Sequence, residues 1–342
     1  MNTGKYTLVT GGAGFIGSAL IHALNESGNT NIVVADILGM DEKFKNLIPL
    51  RYADYIEADD LIELAEEESD YFDQFETIFH LGACSATTER DASYLIRNNY
   101  EYTKTLASIA IDKGIRFVYA SSAATYGDGS QGMDDTLEDL HALNPLNMYG
   151  YSKHMFDCYA QRMAWDDQIV GLKYYNVYGP NEAHKGDMRS LVAKSYEQIQ
   201  ATGEIGLFKS CHPDYTDGNQ MRDFLYVKDA VAMTIHLANT PSANGLFNLG
   251  SGQANTWNTL ATAIFDALKL KPNIQYIDMP EQLKDKYQYY TCANTDKLRS
   301  SVVLIFALQL LRHIDVLNVW LELERVKNRC GERIPGIGLA AA

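Results

Sequence analysis

A tyrosine and a lysine in the middle of the chain have the spacing of an acid–base pair. Tyr149 and Lys153 lie four residues apart within residues 144–153, so on a helix they would share one face, about one turn apart. A positive charge favours phenolate, and we therefore expect Lys153 to lower the pKa of Tyr149. Such a tyrosine can exchange a proton with an alcohol near neutral pH. The same spacing also occurs by chance on solvated helix faces, so its meaning depends on the elements around it.

The start of the chain predicts a dinucleotide-binding unit. A strand at residues 6–10 leads into the glycine-rich turn 11–17, a helix follows, and a second strand at 31–35 ends at Asp36. In such a unit the first glycine permits the tight turn, the second admits a pyrophosphate, and the third lets the helix pack on the sheet. The helix N-terminus offers N–H groups to the phosphates. This context favours cofactor binding over the alternative of a structural turn.

Asp36 and Lys43 point to different cofactors. A carboxylate after the second strand accepts a hydrogen bond from a ribose 2′-hydroxyl and repels a 2′-phosphate, which favours NAD. Lys43 lies a short loop further on and could reverse that preference, or could simply face solvent. These two residues alone leave the choice between NAD and NADP open.

The alternation of strands and helices continues through the first half of the chain. Strands at 77–81 and 116–120 are each followed by a loop of small or hydroxyl-bearing residues, and a further strand covers 169–175. This pattern predicts an α/β fold, a Rossmann doubly wound parallel sheet whose strand ends face the ligand. Tyr149 and Lys153 follow the second loop, on the next helix, and would therefore reach the same edge.

After Pro180 the alternation loosens, which predicts a second domain. We expect residues 1–178, together with about 222–250, to form the NAD(P)-binding domain. Residues 179–221 and 251–342 would form a smaller, interwoven α/β substrate-binding domain.

Composition excludes several classes of function. The net charge of −15 argues against nucleic acid and anionic membranes as partners. Five scattered cysteines without Cys-x-x-Cys spacing, the last of them Cys330, argue against a disulfide framework and a zinc site, so we expect no metal. The N-terminus shows no signal-peptide pattern, and we expect a protein of the cytoplasm. The apolar run 302–311 is too short to cross a bilayer, and we interpret it as a buried helix or strand.

Five stretches in this order and spacing resemble the extended short-chain dehydrogenase/reductase superfamily, over roughly residues 5–299. They are residues 10–17, 122–127, 149–153, 222–224 and 248–252. Within that superfamily, further stretches resemble the family of ADP-L-glycero-D-manno-heptose 6-epimerases, and the segment His184-Lys185-Gly186 is the discriminating one. The others are residues 82–89, 119–127, 145–153 and 174–180.

The resemblance implies inversion at C6 of the heptose in ADP-D-glycero-β-D-manno-heptose, for the inner core of lipopolysaccharide. The hydrogen on an alcohol carbon is not acidic, so a base cannot remove it as a proton. Oxidation to a ketone by hydride transfer makes the centre planar, and return of the hydride to the other face inverts it. The resemblance implies that Tyr149, helped by Lys153, exchanges a proton at one face and Lys185 at the other. Ser122 would orient the reacting oxygen.

Matching of motifs also implies ligand contacts. The family uses NADP, and we let this outweigh Asp36, so we expect NADP, with NAD as the alternative; the family also implies a homo-oligomer, based on a pentamer. Arg222 suits bidentate pairing with a diphosphate, although a salt bridge to Asp223 or Asp229 is an alternative. The implied cofactor contacts are Gly11, Gly14, Phe15, Ile16, Gly17, Asp36, Ile37, Lys43, Leu81, Gly82, Ala83, Cys84, Ser85, Asn98, Lys153 and Val177. The implied substrate contacts are Asn176, Asp187, Arg222 and Tyr287.

Three stretches depart from the family's pattern. Asp187 stands where the family often has a small polar residue, so a cation such as Arg189 would be needed nearby. Residues 212–219 look like an inserted polar loop. After residue 299 the chain lacks the family's glycine turn, proline and closing helix. A shifted reading frame, an altered expression product or genuine divergence would each explain this.

Two other functions compete with heptose epimerisation. One is a different nucleotide-sugar epimerase or dehydratase, which would use the same tyrosine. The other is a non-catalytic dinucleotide sensor, which would have no need of Ser122, Tyr149 and Lys153. The presence of these three residues favours an enzyme.

Overall fold

The computed structural model describes residues 4–67, 69–284 and 287–301, in which strands and helices alternate. The predicted buried element at 302–311, Cys330 and the atypical carboxyl-terminal segment lie outside the described residues. The strands are β1 (Tyr6–Thr10), β2 (Ile32–Asp36), β3 (Asp54–Glu57), β4 (Phe75–His80), β5 (Arg116–Ser122), β6 (Val170–Tyr174), β7 (Asn176–Tyr178), β8 (Ile205–Phe208), β9 (Met221–Tyr226), β10 (Gly245–Leu249), β11 (Ala254–Thr256) and β12 (Ile274–Ile277). The helices are α1 (Phe15–Glu26), α2 (Ala58–Glu66), α3 (Ala92–Leu95), α4 (Tyr102–Asp112), α5 (Met148–Arg162), α6 (Leu191–Thr202), α7 (Val227–Ala238), α8 (Trp257–Ala267), α9 (Glu281–Lys284) and α10 (Asp296–Ser301).

A seven-stranded sheet in the order β10-β6-β5-β4-β1-β2-β3 forms the centre of the fold. Every pairing in it is parallel. All five residues of β2 and all five of β6 are buried, as expected for strands covered by helices on both faces. The predicted doubly wound parallel sheet is thus confirmed, and the carboxyl ends of β1, β4 and β5 lie side by side at one edge.

Helices cover both faces of this sheet. On one face, α1 and α7 pack together through residues such as Leu20 and Val231. On the other face, α2, α4 and α5 contribute Leu61, Leu106 and Phe156 to a second cluster. Because α5 packs on the sheet along its length, the side chains at its N-terminal end are held close to the end of β5.

The helix that carries Asn98 begins well before that residue. The chain is already helical in α3, from Ala92, and a π-helical segment at Ile96–Glu101 joins α3 to α4. π-Helical turns inside longer helices are rare and occur frequently at functional sites. This segment carries Asn98 and Asn99, so it changes the direction in which their side chains leave the helix.

Two small sheets lie beyond the carboxyl edge of the main sheet. Strand β9 pairs with β7 in parallel and with β11 in antiparallel orientation, and β8 pairs with β12. A third apolar cluster, with Val192, Ile199, Leu260 and Phe265, joins α6 and α8 to these strands. The chain then returns to the main sheet with α7 and β10. The limits of the two domains stay a prediction.

No helix within residues 4–67, 69–284 and 287–301 is long and apolar enough to cross a bilayer.

Candidate active site

The glycine-rich turn between β1 and α1 is built for close approach of a ligand. Gly11 has φ +67°, a backbone conformation that favours glycine, and a Cβ on Gly17 would collide with the carbonyl oxygen of Gly11. Gly14 is the N-cap of α1, and Phe15 and Ile16 begin the helix. The N–H groups of a first helical turn have no partners within their own helix, so they can bind phosphate oxygens.

Asp36, at the end of β2, is tied to this turn and to Lys43. Its Oδ2 accepts a hydrogen bond from Ala13 N at 2.8 Å, and its Oδ1 accepts one from Ile37 N at 2.7 Å. Lys43 Nζ lies 2.9 Å from Oδ1, and the two side chains are only 17% and 8% exposed. The ammonium therefore neutralises the carboxylate at the position where a cofactor ribose would lie, which reduces its repulsion of a 2′-phosphate. Ile37 beside it is 44% exposed and offers an apolar surface.

The loop at residues 81–85, after β4, lies directly against the glycine turn. Leu81 N donates to Thr10 O at 3.2 Å, and Gly82 N donates to Thr10 Oγ1 at 3.0 Å. Gly82 also packs closely against Gly11: a Cβ on Gly11 would collide with the backbone of residues 81 and 82, and one on Gly82 would be in tight contact with Gly11 N. The predicted cofactor residues Leu81, Gly82, Ala83, Cys84 and Ser85 thus continue the surface that the turn begins.

Asn99 fixes this loop to the helix that carries Tyr149. Its Oδ1 accepts from Cys84 N at 2.9 Å, and its Nδ2 donates to Cys84 O and to Ser152 Oγ, both at 3.0 Å. The hydroxyl of Ser152 in turn donates to Tyr149 O at 2.7 Å. Asn98, the residue predicted to contact cofactor, donates to Tyr94 O within its own helix. Asn98 and Asn99 both lie in the π-helical segment, and of the two it is Asn99 that is buried.

Ser122, Tyr149 and Lys153 meet where β5 ends and α5 begins. Asn147 caps α5 by accepting from Gly150 N at 2.8 Å, which sets the start of the helix one residue before Tyr149. Lys153 is buried and donates from Nζ to Ala120 O at 2.8 Å. Burial lowers the pKa of Lys153 to about 8, against the opposing effects of Asp157 and Cys84.

The pKa of Tyr149 moves in the direction opposite to the one expected. Burial raises it, Cys84 adds to the rise, and a hydrogen bond with Ser122 counteracts it. The expectation of a lowered Tyr149 pKa is therefore wrong, because burial outweighs any effect of the Lys153 charge on the phenol. The physical reason is that Lys153 directs its ammonium to the Ala120 carbonyl oxygen, while desolvation of the phenol disfavours phenolate.

Lys185 lies over the start of α1. It belongs to a 3₁₀-helical segment, Ala183–Met188, and its Nζ is 5.3 Å from the centroid of the Phe15 ring. Burial lowers the pKa of Lys185, and Glu182 opposes this. A lysine with a lowered pKa is closer to serving as an acid and a base than an exposed one. Lys185 thus approaches the sheet edge above β1, whereas Tyr149 approaches it above β4 and β5.

Asn46 holds the Lys185 segment in this place. Its Nδ2 donates to Ala13 O at 2.9 Å and to Asn181 O at 3.1 Å, and lies 3.3 Å from His184 Nδ1. Asn46 follows Lys43 on the same short 3₁₀ helix, Lys43–Asn46. One segment therefore carries both the partner of Asp36 and the anchor of the Lys185 loop, and sequence reasoning missed Asn46.

Arg222 is a buried cation on β9. It is 6% exposed, its Nη1 donates to Met221 O at 2.8 Å, and its guanidinium carbon lies 5.0 Å from the Tyr287 ring centroid and 5.6 Å from that of Trp257. Burial lowers its pKa. Asp223, one of its two suggested salt-bridge partners, instead accepts hydrogen bonds from other groups. These are Ser251 N and Oγ, Gly252 N and Ala293 N.

The remaining predicted substrate residues are less closely gathered. Asn176 is exposed on β7, the strand that pairs with β9, which carries Arg222. Val177, the next residue, packs against the core. Asp187 is exposed, and Arg189 pairs with Glu197 at 2.7 Å, so Arg189 is not the compensating cation that was expected. The polar loop 212–219 packs its His212 and Tyr215 rings on Tyr289.

Comparison with known proteins places the chain in a family. Residues 7–250 match the model of the NAD dependent epimerase/dehydratase family. An ADP-L-glycero-D-manno-heptose-6-epimerase of Nitratidesulfovibrio vulgaris (strain DP4) is 53% identical over 294 residues, which cover 86% of this chain and 91% of that protein. One of Alkalilimnicola ehrlichii is 45% identical over 296 residues, covering 86% and 90%. The crystal structure of the Helicobacter pylori ADP-L-glycero-D-manno-heptose-6-epimerase has a TM-score of 0.75 at 27% identity, covering 94% of this chain and 96% of that one.

The chain therefore belongs to the NAD dependent epimerase/dehydratase family, and within it to the ADP-L-glycero-D-manno-heptose-6-epimerases. Members of this family use a nicotinamide dinucleotide, and the glycine turn, Asp36 with Lys43, and the 81–85 loop form a surface that fits such a cofactor.

Proposed function

We propose that the protein is an isomerase that inverts C6 of the heptose in ADP-D-glycero-β-D-manno-heptose, for the inner core of lipopolysaccharide. The observation that carries this proposal is the placement of two proton-transfer candidates on separate elements, helix α5 and the 3₁₀-helical segment Ala183–Met188. Tyr149 lies with Ser122 at the end of β5, and Lys185 lies over Phe15 at the start of α1. The identity to heptose epimerases supports the choice of substrate.

The chemistry needs two such groups because the alcohol is oxidised and re-formed. When bound, the nicotinamide dinucleotide accepts the hydrogen at C6 as a hydride and later returns it. As the C6–H bond breaks, one residue takes the hydroxyl proton and the C6–O bond becomes a ketone. After the ketone has turned so that its other face is presented for hydride return, the second residue gives a proton to the oxygen as the new C6–H bond forms. Tyr149 and Lys185 would serve the two faces, and Ser122 would donate a hydrogen bond to the reacting oxygen.

Lys153 would assist proton transfer by Tyr149. Its hydrogen bond to Ala120 O fixes its ammonium at the end of β5, beneath the Tyr149 side of the site. Once the phenol loses its proton, the nearby positive charge stabilises phenolate, although burial alone raises the pKa of Tyr149. The protonated form of Lys153 is therefore the active one.

Arg222 would bind the diphosphate of the substrate. A buried guanidinium held between two aromatic rings, with one backbone carbonyl as its described hydrogen-bond partner, keeps N–H donors for an anion. Tyr287 accepts a hydrogen bond from Trp257 Nε1 at 2.8 Å, which fixes both rings beside it. Asn176 and Asp187 complete the proposed substrate contacts.

For the cofactor we propose NADP over NAD. Lys43 neutralises Asp36 and places an ammonium where a 2′-phosphate would lie, which supports this choice. The other proposed cofactor contacts include Ile37, Asn98 and Val177. We further propose a homo-oligomer, based on a pentamer, that acts in the cytoplasm.

Incubation of the cofactor-loaded protein with ADP-D-glycero-β-D-manno-heptose, followed by NMR analysis of the C6 configuration, tests the proposal. We expect a mixture of the two C6 epimers. Turnover of UDP- or dTDP-sugars alone, or a deoxysugar product, would instead indicate another epimerase or dehydratase. Cofactor binding without turnover of any nucleotide sugar would indicate a sensor.

A further inference from the structure

A fully buried ion pair, Asp157 with Lys173, lies one turn of α5 beyond Lys153. Lys173 Nζ, on β6, lies 2.8 Å from Asp157 Oδ2, on α5, and the two side chains are 1% and 0% exposed. Burial of such a pair costs free energy, and apolar replacements of buried pairs are often neutral or stabilising. Stability alone is therefore a poor explanation for this pair.

Asp157 connects α5 to the strand that carries Ser122. Its Oδ1 accepts a hydrogen bond from Tyr119 Oη at 2.9 Å, and its Oδ2 accepts one from Ser121 Oγ at 2.8 Å. Tyr119 and Ser121 belong to β5, and Ser122 is the next residue. Because Asp157 is one helical turn beyond Lys153, these bonds hold the lysine's part of the helix against the end of β5.

Lys173, on β6, connects Asp157 to the segment that follows Ser122. It donates to Thr125 Oγ1 at 2.6 Å, and its Nζ lies 4.8 Å from the centroid of the Tyr126 ring. Thr125 Oγ1 donates in turn to Ser122 O at 2.8 Å. Hydroxyl groups on both sides of Ser122 therefore bond to the ion pair: Ser121 Oγ before it and Thr125 Oγ1 after it.

Asp157 is also the charged group that faces Lys153. Asp157 is paired with the Lys173 ammonium, and the other titratable groups around Lys153 among the described residues are Tyr149, His80 and Cys84. Burial raises the pKa of the Tyr149 phenol and of the Cys84 thiol, and it lowers the pKa of the His80 imidazole, so all three are neutral near pH 7. The Asp157 carboxylate raises the pKa of Lys153 against the effect of burial.

We propose that Asp157 and Lys173 are positioning residues of the active site: together they hold Ser122 and Lys153 at a fixed separation, and Asp157 places a carboxylate one helical turn beyond Lys153. This inference rests on the proposed function only for the role of Ser122 and Lys153 in catalysis. Neither residue of the pair touches the substrate in this account.

The double variant Asp157→Asn/Lys173→Met tests the proposal, because it removes both charges and leaves no buried charge unpaired. The amide oxygen keeps an acceptor for Tyr119 or Ser121. We expect kcat to fall at least about tenfold, since small misplacements of catalytic groups cost up to about a hundredfold. We also expect the loss of activity at alkaline pH to begin at lower pH. Asp157 raises the pKa of Lys153, and the loss of this effect outweighs the smaller, opposite effect of removing the Lys173 ammonium. The variant leaves Thr125 and either Tyr119 or Ser121 with one hydrogen bond fewer, so we expect a lower melting temperature, and activity is compared where both proteins are fully folded.

A matched control removes an exposed pair. The double variant Asp278→Asn/Lys209→Met deletes a pair whose side chains are 88% and 47% exposed, and it should leave kcat and the pH profile unchanged. Wild-type kcat together with a wild-type pH profile in the Asp157/Lys173 double variant would overturn the proposal.

A second measurement is independent of any substrate. NMR titration of protein labelled with ¹⁵N at lysine Nζ, with the Lys153 signal assigned by Lys153→Gln, reports the Lys153 pKa directly. We expect a value near 8 in the wild type and a lower value in the Asp157/Lys173 double variant. Equal values would overturn the proposal. An inactive wild type with the expected shift would contradict the proposed function and leave the positioning role supported.

Discussion

The side-chain amide of Asn99 bonds to both backbone groups of Cys84: it accepts a hydrogen bond from Cys84 N at 2.9 Å and donates one to Cys84 O at 3.0 Å. The same amide donates to Ser152, on the helix of Tyr149. The loop of the proposed cofactor site and the proposed acid–base helix are thereby held by one buried side chain.

Replacement of Asn99 by alanine should therefore weaken cofactor binding as well as stability. Loss of its amide leaves the Cys84 N–H and C=O without their partner, which we expect to cost about 1–3 kcal/mol. Thermal unfolding with and without cofactor measures both effects. Asn98→Ala is the matched control for stability alone, because the Asn98 side chain bonds to Tyr94 O in its own helix and its removal should destabilise the protein much less. Equal losses of stability in the two variants would contradict a special role of Asn99.

Tyr149→Phe and Lys185→Met should each reduce kcat by about 10²–10⁴, since each removes one proton-transfer group. If the two residues serve opposite faces, the variants should fail on different epimers. Each variant is mixed with each C6 epimer, and reduction of the bound cofactor is followed by its near-ultraviolet absorbance. We expect each variant to oxidise one epimer and not the other.

Two exposed residues serve as controls for this comparison. Tyr151 lies on the same helix and is 48% exposed, and Lys113 forms an exposed ion pair with Asp73. Tyr151→Phe and Lys113→Met should oxidise both epimers at wild-type rates. Failure of Tyr149→Phe and Lys185→Met on the same epimer would show that Lys185 does not serve the second face.

Lys153 should give the enzyme a loss of activity on the alkaline side. Its pKa of about 8 means that the active, protonated form is lost as pH rises through this value. The same shift affects stability. Below pH about 8 the lysine is charged in both the folded and the unfolded protein, and the cost of burying the charge is fully present. Above that pH the folded protein releases the proton first, so the free energy of unfolding rises until the lysine of the unfolded chain also titrates.

Lys153→Met should therefore stabilise the protein while it inactivates it. The shift corresponds to as much as about 3 kcal/mol at pH 7, less whatever the hydrogen bond to Ala120 contributes. Denaturant unfolding at several pH values checks this, with the largest gain expected below pH 8. A variant that is less stable than the wild type at pH 7 would show that burial of this charge is not costly.

Lys43→Met should weaken NADP binding about tenfold and leave NAD binding nearly unchanged, because only NADP carries a 2′-phosphate for the ammonium to bind. A tenfold change corresponds to about 1.4 kcal/mol. Fluorescence titration with each dinucleotide measures the two dissociation constants. Lys45→Met, on the same short helix but 40% exposed, is the control. An equal loss of affinity for NADP and for NAD would show that Lys43 acts only by holding Asp36 in place.

The parts of the fold that follow from local rules were predictable. The glycine turn, the apolar strands and the tyrosine–lysine spacing each depend on residues close in sequence, and the structure confirms the sheet that they predict. The contacts that position the site join residues far apart in the chain. Asn46 with Ala13, Asn99 with Cys84, and Asp157 with Lys173 form only after the helices dock.

Electrostatics was the least predictable part. From sequence, Lys153 appeared as the neighbour that lowers the pKa of Tyr149, because spacing on a helix was the available information. The direction reverses in the structure because burial of the phenol dominates and the ammonium is bonded to Ala120 O. Desolvation depends on the whole surrounding fold, so local spacing cannot predict it.

The most direct test of the account follows the hydrogen at C6 during inversion. Cofactor-loaded enzyme is incubated in D₂O with ADP-D-glycero-β-D-manno-heptose, and NMR determines the configuration and the isotope at C6. We expect the L-glycero epimer with its original hydrogen retained, since the hydride leaves and returns without meeting solvent. Absence of the L-glycero product, or deuterium at C6 of that product, would contradict the account.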